Sequence, residues 1–180
     1  MTPDANAPLV PLAGAESMRQ FCTFHLGERR FGVDILDVQE VALVPPLTPV
    51  HHAPPQVAGV VNIRGQIVLC LDMRRILGLP ASPPSGESRL ILFKARAAED
   101  VGALVDAVGD IAEVPLDAIE ERVGGDRGPE GEGADALERT AAVRGVCRAD
   151  GGLLLLLDPR LLLAELDAAF TRQERGDGQT

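Results

Sequence analysis

The chain has no tryptophan and no tyrosine, only five phenylalanines, and a single lysine, Lys94. Nucleic-acid binding draws on clustered cations for counterion release and on aromatic rings for stacking, so these scarcities exclude that class of partner. The three cysteines, Cys22, Cys70 and Cys147, lie far apart, two of them in strongly apolar stretches. They read as small core residues rather than a disulfide framework or a zinc knuckle. The adjacent pair His51-His52 has no third His or Cys near it in sequence, so no metal is expected. No apolar run approaches the roughly eighteen residues that span a bilayer. The first twenty residues also lack a basic start and a hydrophobic segment, and a cytoplasmic chain with no membrane insertion is expected.

What is present is acid and repetition. The formal charge is -10, and residues 113–138 supply -7 of it, with nine acids against Arg122 and Arg127. Residues 59–77 reappear as residues 145–163 at a constant offset of 86, with no gap. Gly59/Gly145, Val60/Val146, Gly65/Gly151, Leu69/Leu155, Leu71/Leu157, Asp72/Asp158, Arg74/Arg160 and Leu77/Leu163 are identical. Each copy reads as a glycine turn, a strand apolar on both faces, an aspartate and a short helix, so two related halves are expected. The copies differ where Asn62 and Arg64 stand opposite Arg148 and Asp150. The repeated fold does not demand those two side chains, which makes them the first functional candidates.

Residues 1–18 are rich in Pro, Ala and Gly and should form a disordered tail, because burial cannot offset the entropy of ordering them. Residues 21–33 read as a hairpin about a turn at 27–30. Asp34 then offers a helix N-cap, and Ile35, Val38 and Val41 at helical spacing predict a short helix whose other side carries Asp37 and Glu40. Prolines interrupt pairing from Pro45 to Pro55. Asp72 can cap a helix through Leu79, ended by Pro80 and a linker at 82–86 that divides the halves. Residues 89–96, 101–108 and 111–114 read as an antiparallel meander, and the acidic, glycine-rich stretch near 124–138 as a surface loop. Asp158-Pro159 opens a helix with Leu162, Leu163, Leu166, Ala169 and Phe170 on one stripe. Short strands with abundant Gly and Pro predict a mainly β architecture of two small barrels.

Phe24-x-Leu26-Gly27, Phe31 to Ile35 and Val38-Gln39-Glu40-Val41 together resemble the opening of the CheW family of bacterial chemotaxis coupling proteins. Pro55-x-x-x-Gly59 to Gly65, then Ile67-Val68 and Leu71-Asp72-Met73-Arg74, resembles that family's most recognisable segment. The resemblance covers about residues 20–166 and is more specific in its first half. It implies a CheW-like domain at 19–167, made of SH3-like five-stranded β-barrel subdomains at about 19–80 and 88–158, a closing helix at 159–173 and a frayed tail at 174–180. It also implies a non-enzymatic adaptor, with no cofactor, that joins the regulatory domain of a CheA-type histidine kinase to the cytoplasmic tip of a chemoreceptor. By position, Val38, Gly59 and Arg64 would contact receptor in a groove between the barrels, with Glu40 placed to pair with Arg64, and Asn62 is added from the repeat comparison. No motif marks the kinase contact. Val57-Ala58 lack the bulky or charged pair common before the Gly-Val, and the 124–138 insertion is unusual, so a relative serving gliding, pili or development fits as well.

Each of these residues also has a structural role open to it. Arg64 and Asn62 can be turn residues, Val38 core packing, and Gly59 a positive-φ or close-packing glycine. Asp34, Asp37 and Glu40 need no reaction to explain them near a helix start. Two competing classes stand beside the adaptor. One is a small-ligand-binding or hydrolytic β-barrel using Asp34, Glu40 and His51 or His52; the other is a homo-oligomeric ring component built on exposed barrel edges.

Overall fold

The computed structural model describes residues 17–122 and 140–176. The expected disorder of the N-terminal tail and the loop expected at 124–138 therefore fall outside the described residues, as does the end of the C-terminal tail. Met18 already opens the first strand, and residues 174–176 continue the last helix.

The strands are β1 (Met18–Leu26), β2 (Arg29–Asp34), β3 (Val38–Leu43), β4 (Val57–Ile63), β5 (Gln66–Asp72), β6 (Arg89–Phe93), β7 (Val101–Val105), β8 (Ala107–Pro115), β9 (Glu120–Glu121), β10 (Val143–Ala149) and β11 (Gly152–Leu157). The helices are α1 (Met73–Ile76), α2 (Ala95–Ala98) and α3 (Pro159–Gly176). One sheet runs β3-β6-β7-β5-β4 and the other β8-β1-β2-β11-β10-β9. Among the described residues both are mixed and open, with a single parallel pair in each, β5 with β7 and β11 with β2.

The strands that read as apolar on both faces are so because each sheet lies between two cores. Leu69 and Leu71 face the central cluster shared with Phe24, Phe31, Phe93 and Leu155, while Val68 and Cys70 face a cluster private to the first sheet. In the run at 153–157, Leu155 and Leu157 join the central cluster, and Leu154 and Leu156 pack with Phe21 and Cys147 on the far side of the second sheet. All three cysteines are buried and unpaired, and burial pushes the Cys70 thiol up to about 11. They pack as small apolar groups.

The internal repeat is present in three dimensions. The β4-β5 and β10-β11 hairpins share their register and a bulge, since Gly59 pairs with Cys70 as Gly145 pairs with Leu156. Each closes through a two-residue turn of positive φ, Arg64-Gly65 (52° and 87°) and Asp150-Gly151 (49° and 77°), as a type I′ connection requires. The structure also exposes repetition at a second offset, 70, where Val38, Ala42, Val44 and Pro45 recur as Val108, Ala112, Val114 and Pro115. The sixteen residues between the two offsets are extra length between β8 and β10. Sheet membership does not follow the 19–80 and 88–158 division. The β1-β2 hairpin joins the sheet of the second half and β6-β7 that of the first, so the halves exchange hairpins across the central core.

Three local expectations change. Residues 38–43 form an edge strand rather than a helix, alternating half-buried and exposed beside β6. Asp34 does cap, accepting the Leu36 N–H at 2.8 Å, but only for a 3-10 turn over Ile35–Asp37. The three-residue apolar spacing also fits a turn followed by β-branched strand positions, and tertiary pairing decides between them. The helix after Asp72 ends at Ile76, with Gly78 at φ 69°. The meander is broken because β8 leaves β7 and pairs with β1.

That last crossing is held by charge. Arg74 Nε donates to Asp106 Oδ1 at 2.9 Å, and the Gly27 N–H in the β1-β2 turn donates to Asp106 Oδ2 at 2.7 Å. Arg74, foremost through its hydrogen bonds, holds the Asp106 carboxyl below its ordinary value. A depressed folded-state pKa adds stability that is complete above the unfolded value of about 3.9 and is lost as pH falls through the lower folded value. Asp106→Asn is therefore expected to lower the melting temperature at pH 7 and to narrow its gap to the parent as pH drops below about 4, where the parent carboxylate is itself protonated. Thermal melts of both proteins from pH 7 down to pH 2.5 check this.

Candidate partner-docking site

Asn62, Arg64 and Gly65 build one turn. Asn62 Oδ1 accepts the Gly65 N–H at 2.8 Å, so its side chain serves the turn. Arg64 sits at φ 52°, a conformation that Asn, Asp and Gly tolerate best, and its repeat counterpart is an aspartate. Turn stability alone would not choose arginine here.

The Arg64 guanidinium reaches β3. Its Nη1 lies 2.8 Å from Glu40 Oε2, and the Arg64 side chain is 78% exposed against 23% for Glu40. An ion pair this open to water contributes at most about 1 kcal/mol. The pair flanks a recess also lined by Gln39, Gln66, Leu92, Phe93 and Asp100. Nearby on the edge strand, Val41 and Leu43 are exposed, the latter by 72%.

Val38 and Gly59 do not line that recess. Val38 is half-buried, paired with Phe93 and packed on the central core. Gly59 is buried at φ 148°, and a Cβ there would lie 2.7 Å from the Thr48 carbonyl oxygen. The Thr48 and Val60 backbones exchange two hydrogen bonds at that point, at 2.8 and 2.9 Å. The glycine thus admits the proline-rich segment to the edge of β4. Gly145 does the same for β9, whose Glu120 pairs with Val146.

His51 and His52 are exposed on a turn, their ring centroids 5.8 Å apart. Among the described residues no group of three or more His, Cys, Asp or Glu could hold a metal ion. No helix among them is long and apolar enough to cross a membrane.

The residue that sequence reasoning misplaced is Asp37. It is buried instead of solvated, with its carboxylate 2.8 Å from Arg96 Nη2 and 3.4 Å from Arg160 Nη2. The repeat makes Arg160 the counterpart of Arg74, but that Arg74 holds Asp106 at the other crossing is seen only in the structure.

The family model for the CheW-like domain matches residues 20–167. The chain is 34% identical over 157 residues to the chemotaxis protein CheW of Rhizobium meliloti, covering 87% of this chain and 90% of that one. It is 29% identical over 119 residues to the protein FrzA of Myxococcus xanthus, covering 66% and 74% of the two chains. The crystal structure of the scaffolding protein TtCheW from Thermoanaerobacter tengcongensis superposes with a TM-score of 0.67 at 26% identity, over 80% of this chain and 91% of that one. With the mainly β two-sheet fold and the Gly59 to Asp72 hairpin in place, the match over nearly all the described residues shows that this chain belongs to the CheW family.

Proposed function

We propose that this protein is a non-enzymatic adaptor, working in the cytoplasm, that holds the regulatory domain of a CheA-type histidine kinase and the tip of a chemoreceptor in one signalling complex. Family membership supports the class, and the likeness to a chain named as a scaffolding protein supports the absence of chemistry. Two sheets, each with a private core and a shared core between them, support the reading of two SH3-like subdomains. The observation that carries the reading is Arg64: an exposed cation, on a turn whose conformation does not favour arginine, held by Glu40 beside a recess of mixed polar and apolar lining. A helical receptor tip packs against such a recess and offers a carboxylate or carbonyl to the guanidinium for register. Val38 and Gly59 take part by shaping the elements that carry Arg64 and Glu40, and Asn62 by fixing the turn.

Arg64→Ala separates this reading from a structural one. The melting temperature should move by no more than about 3 °C, since the exposed pair contributes at most about 1 kcal/mol. Affinity for the receptor tip should fall at least tenfold while kinase-domain binding persists, as titration calorimetry with each partner would show. Equal loss of both partners, or loss of neither, would remove Arg64 from the receptor site.

A further inference from the structure

We infer that Asp37 is a positioning residue for the docking strand, tying the register of β3 to helices α2 and α3. The inference rests on the adaptor reading above. Asp37 ends the crossing from β2 to β3 and directly precedes Val38. Its side chain is only 9% exposed, and its two arginine partners come from elements distant in sequence, Arg96 in α2 and Arg160 in α3. Its carbonyl oxygen also accepts the Lys94 N–H at 2.9 Å, which ties the same residue to the end of β6. Three residues on, Glu40 holds Arg64, with a register shift in β3 between Val38 and Glu40. A bulged edge strand has few hydrogen bonds to define its path, so an anchor immediately before the bulge sets where Glu40 and its guanidinium partner point.

The repeat supplies an internal control. Arg74 grips Asp106 at the β7 to β8 crossing as Arg160 grips Asp37 at the β2 to β3 crossing. Asp106 leads into β8, which carries no counterpart of the Glu40–Arg64 pair, because Asp150 replaces Arg64 and pairs with Arg30. Both clamps serve the fold, but only the Asp37 clamp adjoins the docking strand.

The test compares Asp37→Asn and Arg160→Ala with Asp106→Asn and Arg74→Ala, measuring for each the affinity for the receptor tip, the affinity for the kinase regulatory domain and the melting temperature. Arg160 is half-exposed, so its alanine variant keeps the fold accessible if Asp37→Asn does not. The Asp37 and Arg160 variants should weaken receptor-tip binding roughly fivefold or more relative to kinase binding, the scale of a coupling between packed elements. The Asp106 and Arg74 variants should lower the melting temperature and leave the ratio of the two affinities unchanged. An unchanged ratio in the first pair, or the same change in both pairs, overturns the positioning role. Failure of the parent protein to bind either partner would overturn the adaptor reading itself, a different result.

Discussion

Replacing Phe24 with alanine is expected to cost about 3–5 kcal/mol and to lower the melting temperature by about 10 °C or more. Phe24 and Phe31 are fully buried and stacked, with ring centroids 5.6 Å apart and planes inclined by 17°. They come from the hairpin that the first half contributes to the second half's sheet, and they pack in the cluster that also holds Leu71, Met73 and Phe93. The vacated space borders side chains from both sheets, so its collapse would require both to move. The same geometry predicts one cooperative transition in urea for parent and variant, because the exchanged hairpins leave neither sheet able to melt alone. A loss below about 1 kcal/mol, or two resolved transitions, would show that the central core does not unite the sheets.

The second large effect separates two glycines that the sequence presents as equivalent. Gly59→Ala is expected to cost about 2–4 kcal/mol, combining a strained positive φ with displacement of the Thr48 backbone. Gly145→Ala should cost less than Gly59→Ala, because its φ lies outside the region that favours glycine and the nearest atom to its Cβ, the Glu120 carbonyl oxygen, stands at 3.0 Å instead of 2.7 Å. Equilibrium unfolding of the two variants side by side gives the comparison directly. Equal losses would mean that the Thr48 bridge is dispensable. The comparison also bears on function, since reduced receptor binding in a Gly59 variant would come together with a lower melting temperature, whereas in Arg64→Ala it would not.

The candidate docking site was legible from sequence in part. Arg64 and Asn62 stood out because the repeat lacks them, and the structure divides their work, giving Asn62 to the turn and leaving Arg64 in solvent. Glu40 was matched to Arg64 by resemblance, yet on a helix. Only its pairing with β6 makes residues 38–43 a strand. Asp37 was out of reach because its partners lie 59 and 123 residues away, and nothing local distinguishes a buried acid from a solvated one. Spacing suggested solvent, and two arginines arriving from other elements reversed it.

By itself the sequence determined the mainly β class, the two related hairpins with their glycine turns, the capping aspartates at Asp72 and Asp158, and the family. These follow from local rules of turn conformation, apolar periodicity and capping, which act over a few residues. Tertiary structure alone decided that the halves exchange hairpins, that β3 is a strand, and that Asp37 and Asp106 are gripped at the crossings. Each of those depends on which strand edge or guanidinium arrives from elsewhere in the chain, and a burial or pairing free energy of that origin exceeds the few tenths of a kcal/mol, roughly, by which local propensity prefers helix to strand.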